Sequence, residues 1–384
     1  MIPYGRQTIS DADVESVVQV LRSDFLTQGP QVPAFEAAVA THVSAPYAVA
    51  VSSATSALHL ACLALNLGPG DWLWTSSNSF VASANCALYC GAQVDFVDVD
   101  SQTYNLCPQA LEAKLETAKL VGRLPKVVVP VHFAGQSCDM ASIAALARVY
   151  GFKIVEDASH AVGGRWQGHP IGACLHSDIT VFSFHPVKII TTAEGGLLTT
   201  RDSELAQRLT DLRSHGITRD FARLENQGQG AWFYEQQSLG FNYRMTELQA
   251  ALGVSQMGSL GHFVARRHVL VARYEQELAD LPLIRPWQHA DSYSAFHLYA
   301  VQLADGAPLV RRTLFDLLRQ AGILVNVHYI PIHLQPHYRR MGFKVGDFPI
   351  AEAYYERAIS LPLYAGLTDT DQGYVIAKLK EFLQ

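Results

Sequence analysis

The sequence predicts an α/β protein with a mainly parallel central sheet and a smaller α/β unit toward its C-terminal end. Three observations carry that expectation. From Tyr47 onward, short β-branched runs alternate with helix-like stretches; turn residues fall at the junctions; and near Met245 the pattern gives way to one long helical segment. Alternation of strand and helix implies crossovers between parallel strands, with helices on both faces of the sheet.

Taken in order, a first helix is expected over Asp11–Leu21, begun at Ser10 with Asp13 three residues on, a start like a capping box. Strands are predicted at 48–51, 93–97, 127–131, 153–155 and 179–182, and helices at 54–65, 80–89, 108–119 and 141–150. Gly68-Pro69-Gly70-Asp71 and Tyr89-Cys90-Gly91-Ala92 fall where a helix should stop and a strand begin. The helix at Ala54 follows Ser52 and Ser53 directly after a strand, which is how a chain presents free backbone N–H groups to an anion. Past Met245 a long helix runs toward Leu281, followed by strands at 297–301 and 323–327 around a helix at 309–320, and by helices at 350–358 and 371–383. The expected division is therefore an N-terminal arm and large domain over 1–245 and a smaller domain over 246–384.

Composition excludes several classes. The chain has 384 residues, 49% hydrophobic and 17% charged, so it can bury a large core and is not dominated by disorder. Its 29 basic against 35 acidic residues give a net charge of −6, and the basic pairs are scattered, which argues against a nucleic-acid partner. No basic start followed by an apolar run and no long apolar stretch occurs, so no membrane association and a cytoplasmic location are expected. Six cysteines without a CxxC pair read as reduced thiols; Cys86 and Cys90, four apart on a predicted helix, read as core. His328, His333 and His337 lack the spacing of a helix-borne ligand pair, and no metal is expected.

Two segments carry chemistry. Glu156-Asp157-Ala158-Ser159-His160 follows a strand, and an acidic residue at the carboxyl end of a parallel strand lies where open α/β sheets place ligands; alone, it also reads as a helix N-cap. Lys188 sits in the apolar run Val187-Lys188-Ile189-Ile190, where desolvation turns an ammonium into a nucleophilic amine; alone, it also reads as a snorkelling lysine. Together they match one coenzyme. Pyridoxal 5′-phosphate needs a lysine for its aldehyde, a carboxylate for its ring nitrogen and a helix N-terminus for its phosphate. Ser53-Ala54-Thr55 offers the third, and Phe80 an aromatic neighbour for the ring. No GxGxxG or Walker motif supplies a nucleotide loop instead.

The chain resembles the DegT/DnrJ/EryC1/StrS family of sugar aminotransferases, through Leu26-Thr27-Gln28-Gly29-Pro30, Ser53-Ala54-Thr55-Ser56-Ala57-Leu58-His59, Glu156-Asp157-Ala158-Ser159-His160-Ala161, Ser183-Phe184-His185-Pro186-Val187-Lys188, Glu194-Gly195-Gly196 and Gly240-Phe241-Asn242-Tyr243-Arg244-Met245. The resemblance implies the fold-type I pyridoxal phosphate-dependent transferase architecture of aspartate aminotransferase. It also assigns Lys188 to the coenzyme aldehyde and to proton shuttling, Asp157 to the pyridine nitrogen, Phe80 to the ring face and His160 to a position beside it. Ala54, Thr55 and Ser183 would hold the phosphate. Asn242 would reach the neighbouring subunit's site, which implies a homodimer with shared active sites.

Tyr4-Gly5-Arg6-Gln7-Thr8-Ile9, the stretch from Ser83 to Ala92, and Gly135-Gln136-Ser137-Cys138-Asp139-Met140 look like the PseC-type subgroup. Its members aminate C4 of a UDP-linked 4-keto-6-deoxy-N-acetylhexose with L-glutamate, releasing 2-oxoglutarate, in pseudaminic acid biosynthesis. The substrate positions so implied are Tyr4, Asp24, Phe25, Leu26, Thr27, Ala54, Ser183, Asn242, His328, Tyr329, Ile330 and Pro331. Relatives that form UDP-4-amino-4-deoxy-L-arabinose stack a Trp where this chain has Phe80, which weakens the pentose alternative. A sugar 3-dehydratase would carry histidine in place of Lys188, and a non-catalytic regulator of the same fold would need neither Lys188 nor Asp157.

Overall fold

The computed structural model describes residues 1–226 and 230–384. Its centre is a seven-stranded sheet whose strands alternate with helices along the chain, after a short leading strand β1 (Ile2–Pro3) and the helices α1 (Asp11–Leu21) and α2 (Gln31–Val43). The sheet strands are β2 (Tyr47–Val51), β3 (Trp72–Ser76), β4 (Gln93–Val97), β5 (Val127–Val129), β6 (Lys153–Asp157), β9 (Ile179–Ser183) and β10 (Gly196–Thr200). A small hairpin, β7 (Arg165–Trp166) and β8 (His169–Pro170), intervenes between β6 and β9. The order is β2-β10-β9-β6-β5-β3-β4, with β10 alone antiparallel to its neighbours.

Period-two side-chain alternation explains why both faces are covered. Leu73, Val127, Val129, Val155, Val181 and Leu198 enter one cluster, which includes Leu58, Leu60 and Ala61 of α3 (Ala54–Ala64) and Ala84 and Ala87 of α4 (Ala82–Tyr89). Trp74, Val128 and Ile154 point the other way, toward Leu111 and Leu115 of α5 (Pro108–Leu120) and Ile143 of α6 (Met140–Tyr150). Ala50, Phe182 and Leu197 share that second face and meet Phe35 of α2.

After α7 (Ser203–Arg213), the 31-residue α8 (Glu247–Glu277) joins the parts of the molecule. Its first half packs on α2, and its second half contributes Leu270, Val271 and Tyr274 to a separate C-terminal cluster. That cluster covers a three-stranded antiparallel sheet of Leu283–Ile284, Tyr299–Leu303 and Ala358–Leu361, with α9 (Arg311–Gln320) and the last helix, Asp369–Leu383. Strand β1 pairs in parallel with Ile323–Leu324, so the start of the chain is anchored on the C-terminal part.

The capping box at Ser10 is present: its Oγ accepts from the Asp13 N–H at 3.2 Å and Asp13 Oδ2 accepts from the Ser10 N–H at 2.8 Å. Some boundaries differ from expectation. The helix expected from Phe80 begins at Ala82, leaving Phe80 in the preceding turn, and the strand expected through Val131 ends at Val129, with a single bridge from Val131 to Asp157. The helix expected to continue toward Leu281 ends at Glu277, and Ala358, expected at a helix end, opens a strand. Strand β3 begins where Gly68-Pro69-Gly70-Asp71 signals a strand start, whereas β10, α2 and α7 are not among the expected elements.

One buried cation ties α8 to the site region. Arg267 is 2% exposed, and its Nη1 donates to the carbonyls of Phe296, His297 and Leu363 at 3.1, 3.2 and 2.9 Å. Replacing Arg267 with Met leaves those carbonyls without this donor, at about 1–3 kcal/mol for each one left unsatisfied. The Arg267→Met protein should therefore unfold several degrees below the parent in a thermal melt. An unchanged midpoint would deny the guanidinium that role.

Candidate active site

Strands β6 and β9 lie side by side in parallel with Asp157 opposite Val181, so Asp157 and Ser183 open on the same edge of the sheet, at the carboxyl ends of its parallel strands. Asp157 is buried and both of its oxygens accept hydrogen bonds. Oδ1 accepts from the Ser159 N–H at 3.1 Å and the Ser159 hydroxyl at 2.5 Å, and Oδ2 accepts from the Ser83 hydroxyl at 2.7 Å. The first two bonds are a local Asx turn; the third comes from α4, across the sheet edge.

Lys188 follows β9 in a loop closed by its own N–H to the carbonyl of His185 at 2.9 Å. Burial pushes its ammonium down to about 8, against the opposing pull of Asp157. The amine is thus a nucleophile over an accessible pH range, close enough to Asp157 to feel its charge while that carboxylate bonds elsewhere.

The edge also holds an anion cradle. Ser53 caps α3, its Oγ accepting from the Ser56 N–H at 3.1 Å, and the first-turn amides of Ala54 and Thr55 have no intrahelical acceptor. Gly196 pairs with both Val51 and Ser183 and passes directly beneath the cap. A Cβ on Gly196 would lie 2.4 Å from the Ser53 carbonyl oxygen and 2.5 Å from the Ala54 nitrogen, so only glycine allows this approach. Cradle, carboxylate and amine fit the three demands of pyridoxal phosphate.

Besides Asp157, Lys188 has rings around it. His160 is 5% exposed; its Nδ1 accepts from the Ala134 N–H at 3.3 Å, and its Nε2 lies 3.0 Å from Tyr329 Oη, with the two rings stacked at 6.0 Å. His297 lies 4.3 Å from His160 between ring centroids, with a buried Nδ1 that has no partner among the described residues. Burial, followed by the charges of Lys188 and His328, holds His160 well below the usual imidazole range. Burial, followed by His160, Lys188, Arg267 and His328, depresses His297 likewise, and burial with the charge of Lys188 pushes His328 down to about 3. Phe80 is 59% exposed with its ring 6.4 Å from Tyr329, and Tyr4 packs against His328 at 5.1 Å.

The expected residues thus fall into two groups. Phe80, Asp157, His160, Lys188, His328, Tyr329 and Tyr4 share one neighbourhood, with Ala54, Thr55 and Ser183 along the same sheet edge; Ile330 is exposed and Pro331 buried beside them. Asp24, Phe25, Leu26 and Thr27 instead lie on an exposed loop at the start of α8, where the Leu26 carbonyl accepts from the Glu247 N–H at 3.1 Å. Asn242 is exposed on the stretch bridged to Ser214, between Phe241 and Tyr243, whose rings pack on His59 of α3. Ser83, His297 and Arg267 were missed from the sequence. Ser159 lay inside a noted segment, and its position two residues after Asp157 was the available signal.

A nucleophilic lysine, a strand-end carboxylate and a helix N-terminus on one edge of a mainly parallel sheet define a pyridoxal phosphate-dependent transferase of fold type I. The chain belongs to the DegT/DnrJ/EryC1/StrS aminotransferase family, whose profile matches residues 7–380. It is 39% identical to the spore coat polysaccharide biosynthesis protein SpsC of Bacillus subtilis, over 100% of this chain and 97% of that one. Among solved structures it is similar to the sugar aminotransferase Spr1654 of Streptococcus pneumoniae in its PMP form, with a TM-score of 0.91 and 30% identity over 100% and 99% of the two chains. It is also similar to PseC of Helicobacter pylori, an aminotransferase involved in pseudaminic acid biosynthesis, with a TM-score of 0.90 and 30% identity over 100% and 99%. The protein is a sugar aminotransferase whose coenzyme is pyridoxal phosphate.

The depressed Lys188 gives a pH signature. Only the neutral amine attacks an aldehyde, so coenzyme uptake by the coenzyme-free protein should quicken as pH rises through about 8 and then level off. An unperturbed lysine would keep gaining toward about 10.4. Stopped-flow absorbance distinguishes the two curves, and a continued climb above pH 9 would contradict the burial argument.

Proposed function

We propose that this enzyme moves the amino group of L-glutamate to C4 of a UDP-linked 4-keto-6-deoxy-N-acetylhexose, forming UDP-4-amino-4,6-dideoxy-N-acetyl-β-L-altrosamine. The observation that carries the aminating role is the Lys188 amine, brought to about 8 beside an Asp157 held by Ser83 and Ser159. The full-length likeness to PseC supports the hexose, and Phe80 in place of Trp disfavours the aminoarabinose alternative. Bound pyridoxal phosphate supplies an electron sink that stabilises negative charge at the carbon bearing the amine.

The chain's own residues do the rest. Lys188 Nζ takes a proton from the α-carbon of glutamate in one half-reaction and delivers one to C4 of the sugar in the other. Asp157 keeps a counter-charge for the ring nitrogen, and Ser83 and Ser159 hold it in place. Ala54, Thr55 and Ser183 hold the phosphate, and Phe80 covers a ring face. The nucleotide end of the sugar is held remotely, so that its binding energy orients C4 toward the amine. In this reading the protein is a homodimer, with Asn242 serving the partner's site.

Lys188→Ala should lose transamination altogether, and Asp157→Asn should retain coenzyme poorly and turn over far more slowly. The substrate assignment is tested by supplying glutamate and a panel of UDP-4-keto sugars and determining the product configuration by NMR; amination of the pentose alone would overturn it. Shared sites make a separate prediction. Neither Lys188→Ala nor Asn242→Ala should be active alone, whereas random hybrids of the two should recover about a quarter of parental activity, because half the dimers carry one intact site. No recovery would mean that each chain completes its own site.

A further inference from the structure

The hydrogen-bond inventory around His160 fixes where its proton sits. The Ala134 N–H donates to Nδ1, so that nitrogen presents a lone pair. In a neutral ring the proton then belongs to Nε2, which faces Tyr329 Oη at 3.0 Å. A neutral ring is what this pocket favours: burial comes first, with Lys188 and His328 as the charges opposing an imidazolium. The phenol oxygen therefore accepts from His160. A phenol has one hydrogen, and with its oxygen accepting there, its own O–H points elsewhere.

Backbone geometry imposes this direction. The turn that presents the Ala134 N–H has positive φ at Ala134 and Gly135, 57° and 103°. A Cβ on Gly135 would lie 2.8 Å from the Phe296 nitrogen, 2.9 Å from the His297 nitrogen and 3.0 Å from the His160 carbonyl oxygen. The His297 ring backs His160, and Arg267 clamps the carbonyls of Phe296 and His297. On its other side Tyr329 lies beside Phe80 and is held through its N–H to Asn78 Oδ1 at 3.2 Å. The ionisable groups around the pair are Tyr4, Asp157, Lys188, His297, His328 and Tyr354.

We infer that Tyr329 is a fixed hydrogen-bond donor into the Lys188 site, its direction set by the Ala134 N–H through His160, and that its acceptor is the ketone oxygen of the bound sugar. The inference rests on the aminotransferase reading and adds a role within it. As an amine adds to the ketone carbon, the C=O π electrons move to oxygen, where a preorganised donor stabilises the growing negative charge; the added nitrogen's two protons then pass to that oxygen, which leaves as water. Tyr329 polarises the carbonyl without giving up its proton. His160 offers it no replacement, since loss of the Nε2 proton would leave an imidazolate and the Nδ1 end is met only by a peptide N–H. A glutamine at position 160 can reproduce the arrangement, accepting through Oε1 and donating through Nε2. A glutamate can only accept, and would turn the Tyr329 hydroxyl back on itself.

The tautomer is read directly by ¹⁵N NMR of the histidine-labelled protein at neutral pH, with His160→Gln identifying the His160 signals. A proton on Nε2 alone is expected; a proton on Nδ1, or on both nitrogens, overturns the inference whatever the kinetics. In turnover of the keto sugar, Tyr329→Phe should lower kcat about 100-fold, the scale of losing one oxyanion donor, with coenzyme absorbance retained. His160→Leu should lose similarly, His160→Gln should recover most of that loss, and His160→Glu should stay low. Equal rates for the Gln and Glu variants would overturn the directional role. Failure of the underlying reading shows separately: the parent would then carry no borohydride-fixed coenzyme on Lys188.

Discussion

An amine buried beside a carboxylate already committed to other donors is the constraint on which this structure turns. In a low-polarity setting an opposite charge in contact with Lys188 would hold the ammonium form. Asp157 does raise the proton affinity of Lys188, but burial outweighs it and the amine settles at about 8. Ser83 and Ser159 engage both oxygens of Asp157 through their hydroxyls and the Ser159 amide, which fixes the carboxylate's orientation in the pocket it shares with the amine.

The sheet provides the alignment. Parallel β6 and β9 bring Asp157 and Ser183 to one edge, and antiparallel β10 inserts between β9 and β2 so that Gly196 faces Ser183 on one side and Val51 on the other. That reversal brings the start of α3 to the carboxylate and the amine. A strand running the other way would put its glycine pair at the opposite end of the sheet, and the cradle would face nothing. The close approach at Gly196 and the crowded turn at Gly135 are two uses of one device: a missing side chain lets backbone amides reach where a ligand or a catalytic ring needs them.

Much of this was legible in the sequence because it is local. The capping box at Ser10, the strand–helix alternation and the pairing of Asp157 with Lys188 across one intervening strand are all encoded within a few tens of residues. The contacts that tune the site are not. Ser83 lies 74 residues from Asp157, and Tyr329 lies 169 from His160, so only the folded topology puts them in contact. Arg267 reads as half of a basic pair on an amphipathic helix, and its burial against three carbonyls follows from packing. Strand β10 has the pattern of a loop because its five residues open on the second of two glycines, and pairing on both edges makes it a strand.

The same topology separates the chemistry from the choice of sugar. Strand β1 pairs with Ile323–Leu324, and Tyr4 is fixed by its N–H to the Leu324 carbonyl at 3.1 Å and its carbonyl to the Leu363 N–H at 2.9 Å. Its ring then meets His328, whose Nδ1 lies 2.8 Å from Ser360 Oγ, and the next residue, Tyr329, hangs on Asn78 two positions before Phe80. The start of the chain and the 328–331 segment therefore converge beside the Lys188 pocket. Substitutions along Tyr4, Phe80 and the 328–331 segment can reshape what sits over the coenzyme while the sheet edge holding Asp157, Gly196 and Ser183 is unchanged. Tyr329 is the exception among them: it belongs to the 328–331 segment by position and is tied through His160 to the turn at Ala134, so a change there reaches beyond the loop.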